Sequence, residues 1–276
     1  MTDEAHQPTP QPAGDLGTAS SQARVQFVGT GPGDPNLLTL GTVDAINRAQ
    51  VIVISCAEHR MLLGSDFLGL RPDVRIVLAG GVDEEAAVLP SQPGTGAPTP
   101  VDVDEHCADV TATVIDAASQ GLEVVRLVSG DPFLDGDIGA EAAAVARADY
   151  DVDVVPGVTG MTAVPEYAGL TLHGHDVQLI GDAACQRDIA GHGSNWSDQG
   201  LVVVNTEAGK LKEVVKHAIE SGRGEDEPAA LICHGATTQQ TTHTVTLGEL
   251  PQTAKTARLG DAEPVHVAIG KVVEAP

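Results

Sequence analysis

Aromatic residues are nearly absent from this 276-residue chain, at 2%, although apolar residues as a whole reach 42%. A core of stacked rings is therefore excluded, and the interior has to be built from Val, Leu, Ile and Ala. Such a composition suits parallel strands buried on both faces and covered by Ala-rich helices. Basic residues are scarce too: 15 Lys and Arg stand against 39 Asp and Glu, a formal charge of -24. A surface that neutralises phosphates needs clustered cations, so nucleic acid is not expected as a partner. The acidity favours solubility, and it repels any anionic substrate at long range unless a cleft holds local positive charge.

No apolar run approaches ~18 residues, so no segment reads as a membrane span. The opening MTDEAHQPTP has neither a basic region nor an apolar stretch, and it does not read as a secretory leader. The four cysteines, Cys56, Cys107, Cys185 and Cys233, are widely spaced and form no CxxC. A disulfide framework or zinc knuckle is not expected, and reduced thiols in a cytoplasm fit best. His173-Gly174-His175 offers two metal ligands with no third at useful spacing, so no metal is predicted. Neither a GxSxG elbow nor an HExxH pair occurs.

What is present is an alternation of short β-branched runs with amphipathic stretches. VQFVG (25–29), VIVI (51–54), RIVL (75–78), EVVRLV (123–128) and DVDVV (151–155) read as strands. Leu37, Leu40, Val43 and Ile46 recur at helical spacing, as do Val110, Val114 and Ala118, and an Ala-rich helix is expected near 138–148. The alternation implies a mostly parallel sheet. Pro156-Gly157 marks a hinge. After it come a short helix (159–168), VQLI (177–180), LVVV (201–204) and a helix carrying Leu211, Val214, Val215 and Ile219. AALIC (229–233), TTHTVT (241–246) and PVHVAIGKVV (264–273) close the chain, and their Thr- and Val-rich alternation suggests a mixed or partly antiparallel sheet. The expected organisation is a disordered tail over 1–23, an α/β domain over 24–155 with a mobile acidic loop at about 80–105, and a second α/β domain over 156–276.

Four motifs follow strands. Gly29-Thr-Gly-Pro-Gly-Asp-Pro35 places glycines where backbone can approach a ligand closely, or it is a tight turn. Pro32 removes one N–H that a phosphate cradle would use, and no Lys–Ser/Thr pair follows. Ser129-Gly130-Asp131-Pro132 offers a carboxylate for a ribose hydroxyl or an amine, or it caps the next helix. In VVPGVTGMTAVPEYAGLTL (154–172), Gly157 and Gly160 flank Thr159 where the halves meet; the segment also reads as a hinge entering a helix. His234-Gly-Ala-Thr-Thr-Gln-Gln240 is a polar loop, or a Thr-rich surface turn.

Taken together and in register, VQFVGTGPGDPNLLTL, LVSGDPFLDG, VVPGVTGMTAVPEYAGLTL, PAALICHGATTQQ and PVHVAIGKVV resemble the signatures of the tetrapyrrole methylases. Within that family the chain looks most like the uroporphyrinogen-III C-methyltransferases, in the form fused to a uroporphyrinogen-III synthase in actinobacteria. The resemblance runs from about Val25 to Val273. It implies two α/β domains with S-adenosylmethionine in the cleft between them, a tetrapyrrole substrate, a homodimer, and a uroporphyrinogen-III synthase as a partner. Carried over by position, the cofactor contacts are Pro32, Ser129, Gly130, Asp131, Leu134, Thr159, Gly160, Thr206 and Gly235. Thr206 stands where the family often has Met.

The resemblance breaks at the residues that would hold an eight-carboxylate substrate. Ser55-Cys56 replace an Asp-Arg pair, Asp137 replaces an Arg, and His173-Gly174-His175 replace a Thr-His-Arg end. A Gly-Lys-Arg segment has no counterpart. The family's acid/base Asp and Lys have no match, so no catalytic residue is assigned. Each lost charge-assisted hydrogen bond is worth ~1.5–3 kcal/mol. Two further readings therefore stand beside C-methyl transfer to uroporphyrinogen III: a degenerate methylase fold that binds cofactor or a partner without turnover, and a methylase for a different, less anionic acceptor.

Overall fold

A computed structural model describes residues 23–80, 102–136 and 138–274. The expected tail and nearly all of the expected acidic loop lie outside the described residues, as does Asp137.

Two sheets follow one another along the chain. The first runs β4-β3-β2-β5-β1-β6, and every pairing in it is parallel. Its strands are β1 (Arg24–Gly29), β2 (Val51–Ile54), β3 (Arg75–Ala79), β4 (Glu105–Cys107), β5 (Val124–Val128) and β6 (Asp151–Val155). All residues of β2 and β5 are buried, because helices cover both faces of the sheet. One face packs Val25, Phe27, Val53 and Val128 against α3 (Val110–Ser119) and α4 (Gly139–Arg147). The other packs Val28, Ile52, Ile54 and Leu127 against α1 (Leu40–Arg48) and α2 (Ala57–Leu63). The start of α1 is fixed by Thr39, whose hydroxyl accepts the Thr42 N–H, and that of α3 by Asp109, which accepts from Ala112.

After Val155 the chain enters α5 (Gly160–Tyr167) and then the second sheet, ordered β10-β9-β11-β8-β7. β7 (Val177–Ile180) and β8 (Leu201–Glu207) are parallel. β11 (Pro264–Ile269) runs antiparallel between β8 and β9 (Pro228–Cys233), and β10 (Thr241–Thr246) is antiparallel to β9. The mixed sheet expected from the Thr/Val alternation is present. One face carries α6 (Asp182–Ile189), α7 (Leu211–Glu220) and α8 (Leu250–Thr256), and the other carries Met161 and Val164 of α5.

The closing strand is shorter than its sequence suggested. It ends at Ile269, and Lys271–Glu274 form a 3-10 turn. Gly270 explains the stop: at φ 145 its N–H turns to Pro228 O, and a Cβ there would stand 2.5 Å from Gly200 O. The short elements α2, α6, α8 and β4 gave no clear period in the sequence. Among the described residues, no helix is long and apolar enough to cross a membrane.

Candidate functional site

The loops leaving β1, β5, β6, β7, β8 and β9 meet where the two sheets face each other. In the first half all of these are carboxyl ends of parallel strands, the place where open α/β sheets bind ligands. The loop after β1 is tied to the loop after β5 by two backbone bonds, Gly31 N–H to Gly130 O at 3.2 Å and Gly130 N–H to Gly31 O at 2.7 Å. Behind them Gly29, Gly130 and Gly157 touch backbone to backbone. A Cβ on Gly29 would lie 2.5 Å from Gly157 N, and one on Gly157 would collide with Gly130 O. Side chains at these positions would force the halves apart.

The loop after β5 is held by two aspartates. Asp131 Oδ1 accepts the Phe133 and Leu134 N–H groups at 3.0 and 3.1 Å, so one carboxylate oxygen is committed to its own turn. Asp135, which the sequence did not single out, is the cross-link. Its Oδ2 accepts the Asp131 N–H at 2.7 Å, and its Oδ1 accepts the Thr159 hydroxyl at 2.9 Å. Burial raises the Asp135 pKa, helped by the nearby Asp131 charge, while hydrogen bonds from Asp131 N–H, Thr159 and Gly160 N–H oppose the rise. Thr159 also caps α5 by accepting the Met161 N–H at 3.1 Å. Leu134 is exposed, and its carbonyl reaches the end of β7, within 3.0 Å of where a Gly181 Cβ would stand.

The second half contributes Gly235 and, from the amino end of β11, His266. A Cβ on Gly33 would lie 3.1 Å from Thr237 Cγ2 and 3.8 Å from Gly235 O, so the first loop rests on the loop after β9. A Cβ on Gly160 would meet His266 Nε2 at 3.2 Å and Pro32 Cβ at 3.6 Å. Pro32, Gly160, Gly235 and His266 therefore border one spot. Burial lowers the His266 pKa to about 4, leaving the ring neutral. Tyr167 completes the seam: its hydroxyl donates to Asp34 Oδ2 at 2.8 Å. Burial works against the Asp34 charge, but bonds from the Asn36 N–H, Tyr167 and the Asn36 amide outweigh it and hold the pKa low.

Of the residues expected from the sequence, Pro32, Ser129, Gly130, Asp131, Leu134, Thr159, Gly160 and Gly235 lie on these loops. Thr206 sits at the same end of β8, but its side chain shares a face with Val202 and Val204 and stands beside the Cys185 thiol of α6. Its neighbour Asn205 pairs in register with His266.

The model for tetrapyrrole (corrin/porphyrin) methylases matches residues 24–251. The chain belongs to the tetrapyrrole methylase family. It is 30% identical over 263 residues to the uroporphyrinogen-III C-methyltransferase of a Sinorhizobium species, covering 92% of this chain and 85% of that protein. It is 33% identical over 258 residues to the siroheme synthase of Methylococcus capsulatus, covering 90% of this chain and 49% of that protein, so it spans about half the length of such synthases. The fold matches cobalt precorrin-4 methyltransferase with a TM-score of 0.68 at 19% identity, covering 94% of this chain and 100% of that one. It also matches uroporphyrin-III C-methyltransferase of Thermus thermophilus complexed with S-adenyl homocysteine, with a TM-score of 0.60 at 22% identity over 92% of this chain and 100% of that one.

The two walls of the cleft carry different side chains. Buried polar atoms without a hydrogen-bond partner occur on both: Asp182 Oδ1 and His266 Nε2 in the second half, His59 Nδ1 in the first. Unmet capacity of this kind costs about 1–3 kcal/mol per group unless a ligand or water meets it. The first sheet's wall holds Ser129, whose exposed hydroxyl lies 3.4 Å from His59 Nε2 and 3.7 Å from Cys56 Sγ. Among the described residues, no group of three or more His, Cys, Asp or Glu side chains is placed to hold a metal.

Proposed function

We propose that this tetrapyrrole methylase binds S-adenosylmethionine in the cleft between its sheets and transfers the methyl group to carbon of a tetrapyrrole. The observation that carries the reading is the meeting of glycine-bearing loops from both halves, with the first half's loops tied by Gly31–Gly130 and the halves joined by Asp135–Thr159 and the Gly29–Gly157 backbone contact. Pro32, Ser129, Gly130, Asp131, Leu134, Thr159, Gly160, Thr206 and Gly235 are the proposed cofactor contacts. Backbone groups of the first loop, the Asp131 loop and Gly235 would hold the nucleoside. The unpartnered atoms in the second half suit a ligand as polar as an amino-acid nucleoside.

The cofactor supplies a methyl group already activated on a sulfonium. What the chain itself has to do is align the acceptor carbon with that methyl group and keep water out; positioning of this kind supplies several kcal/mol of a barrier. The relatives' names point to uroporphyrinogen III or a related tetrapyrrole as the acceptor, and a cytoplasmic homodimer working beside a uroporphyrinogen-III synthase belongs to the same reading. Calorimetric titration with S-adenosylhomocysteine tests it directly, followed by transfer of labelled methyl to tetrapyrroles. Micromolar binding with transfer is the expected result. Binding without transfer to any tetrapyrrole would leave the module without turnover, and no binding would leave only a scaffold.

A further inference from the structure

The acceptor-side wall of the cleft has a composition that bears on what it can hold. At the carboxyl ends of β1, β2 and β5 stand Thr30, Cys56, His59 and Ser129. His59 is buried, with Thr30 Oγ1 at 3.2 Å and Ser129 Oγ at 3.4 Å from its Nε2. Cys56 Sγ lies 3.7 Å from the same serine oxygen. None of the four carries charge near neutral pH. Burial, with the neighbouring Glu58 charge, pushes the Cys56 thiol up to about 12. Burial, with the charge of Arg126, pushes His59 down to about 3.

The charges around this wall are anionic or already matched. Arg126 is 7% exposed, and it is bonded to Glu141 Oε1 at 3.1 Å and to Leu127 O. Arg60, one turn into α2, has an interaction of its own. Glu58 is exposed. The loops beside this wall carry Asp34, Asp131 and Asp135, and the second half adds Asp182, with Lys210 held 3.5 Å from Glu207. The chain as a whole carries -24, so the far field repels anions as well.

We propose that this wall takes a weakly anionic acceptor: a tetrapyrrole with few or masked carboxylates rather than one with eight. The inference rests on the methyl-transfer reading of the cleft and names the acceptor class for that same site. An eight-carboxylate ring brought against Ser129, Cys56 and Glu58 gives up its hydration and gains no charge-assisted bond in return. A ring with apolar or amidated edges gives up little, and it packs on a neutral hydroxyl and thiol surface.

The test uses the full chain saturated with S-adenosylhomocysteine, titrated by fluorescence quenching with uroporphyrin, coproporphyrin and deuteroporphyrin, which carry eight, four and two carboxylates. Affinity is expected to rise by roughly tenfold or more from eight carboxylates to two, and the two-carboxylate affinity should stay flat as salt is raised. Cys56→Arg should raise uroporphyrin affinity about tenfold and leave deuteroporphyrin unchanged. Should that variant not fold, Glu58→Lys, at an exposed side chain on the same wall, serves the same purpose. Tighter binding of uroporphyrin than of deuteroporphyrin by the unmodified chain overturns the inference. So does a folded cationic variant with no gain, or a chain that binds none of the three. Failure to bind S-adenosylhomocysteine is read separately by calorimetry: it sinks the methyl-transfer reading, while the order of porphyrin affinities still decides the acceptor class.

Discussion

The two sheets approach the cleft differently. The first is wholly parallel, so every strand delivers its carboxyl end and following loop to the same edge. The second is mixed: β7, β8 and β9 deliver carboxyl ends, while β11 enters the cleft region by its amino end and brings His266 with it. In the first half, loops and backbone make the wall. In the second, a strand side chain, closed to solvent at Nε2, makes part of it. A parallel sheet advertises its site through glycine motifs after strands, whereas a mixed sheet can hide a site residue inside a strand.

The largest effect is expected at the point where the halves touch. In Gly157→Ala the new Cβ runs into Gly130 O, and neither backbone can yield without breaking the Gly31–Gly130 bridge. Overpacking of this kind costs about 1–3 kcal/mol or more. The separation of the loops should also abolish S-adenosylhomocysteine binding in calorimetry. Gly260→Ala, where a Cβ meets nothing, is the matched control and should change neither quantity. Equal behaviour of the two variants would mean that the halves do not depend on close backbone contact.

The same contrast explains what was legible in the sequence. Runs such as VIVI and EVVRLV are buried on both faces, so they stood out as strands, and the parallel sheet followed from their alternation with helices. Glycine motifs after strands gave most of the loops at the seam. Asp135 was not visible because its importance comes from a hydroxyl 24 residues away in sequence. His266 was not visible because it sits in an ordinary alternating strand, and only the β11 register places it against Gly160. Thr206 is a different case. Position along the chain brought it to the right end of β8, but the two-residue period of a strand turns its side chain toward α6.

His266 also gives the second half a pH dependence of its own. Its pKa is about 4 in the folded chain against 6.5 for a free histidine. Between those values the unfolded chain holds more protons, so stability is fully present above pH 6.5 and is lost as pH falls toward 4. His266→Leu should remove this contribution, flattening the stability profile by about 1.4 kcal/mol per pH unit in that window. Urea unfolding of both proteins at pH 7.5, 6 and 5 reads the difference directly. Buried His59, with a pKa of about 3, remains in both proteins and cancels in the comparison. Parallel profiles would mean that the imidazole is solvated and not part of the seam.

The smallest effect separates the seam's surface from its interior. Tyr167 and Asp34 join α5 to the first loop, much as Thr159 and Asp135 join it to the second, but the Tyr167 side chain is largely exposed. An exposed bond competes with water, so removing it costs little. Tyr167→Phe should weaken S-adenosylhomocysteine binding by no more than roughly threefold, and it should let the Asp34 pKa rise, since that phenol is one of the donors holding it down. Asp135→Ala, which cuts the half-buried counterpart, should weaken binding by at least roughly tenfold, because it frees both Thr159 and the Asp131 N–H. Calorimetry on the two variants ranks the joints. A larger loss from Tyr167→Phe would place the controlling contact on the outer rim, at the Asp34 turn, rather than at the backbone junction of the two halves.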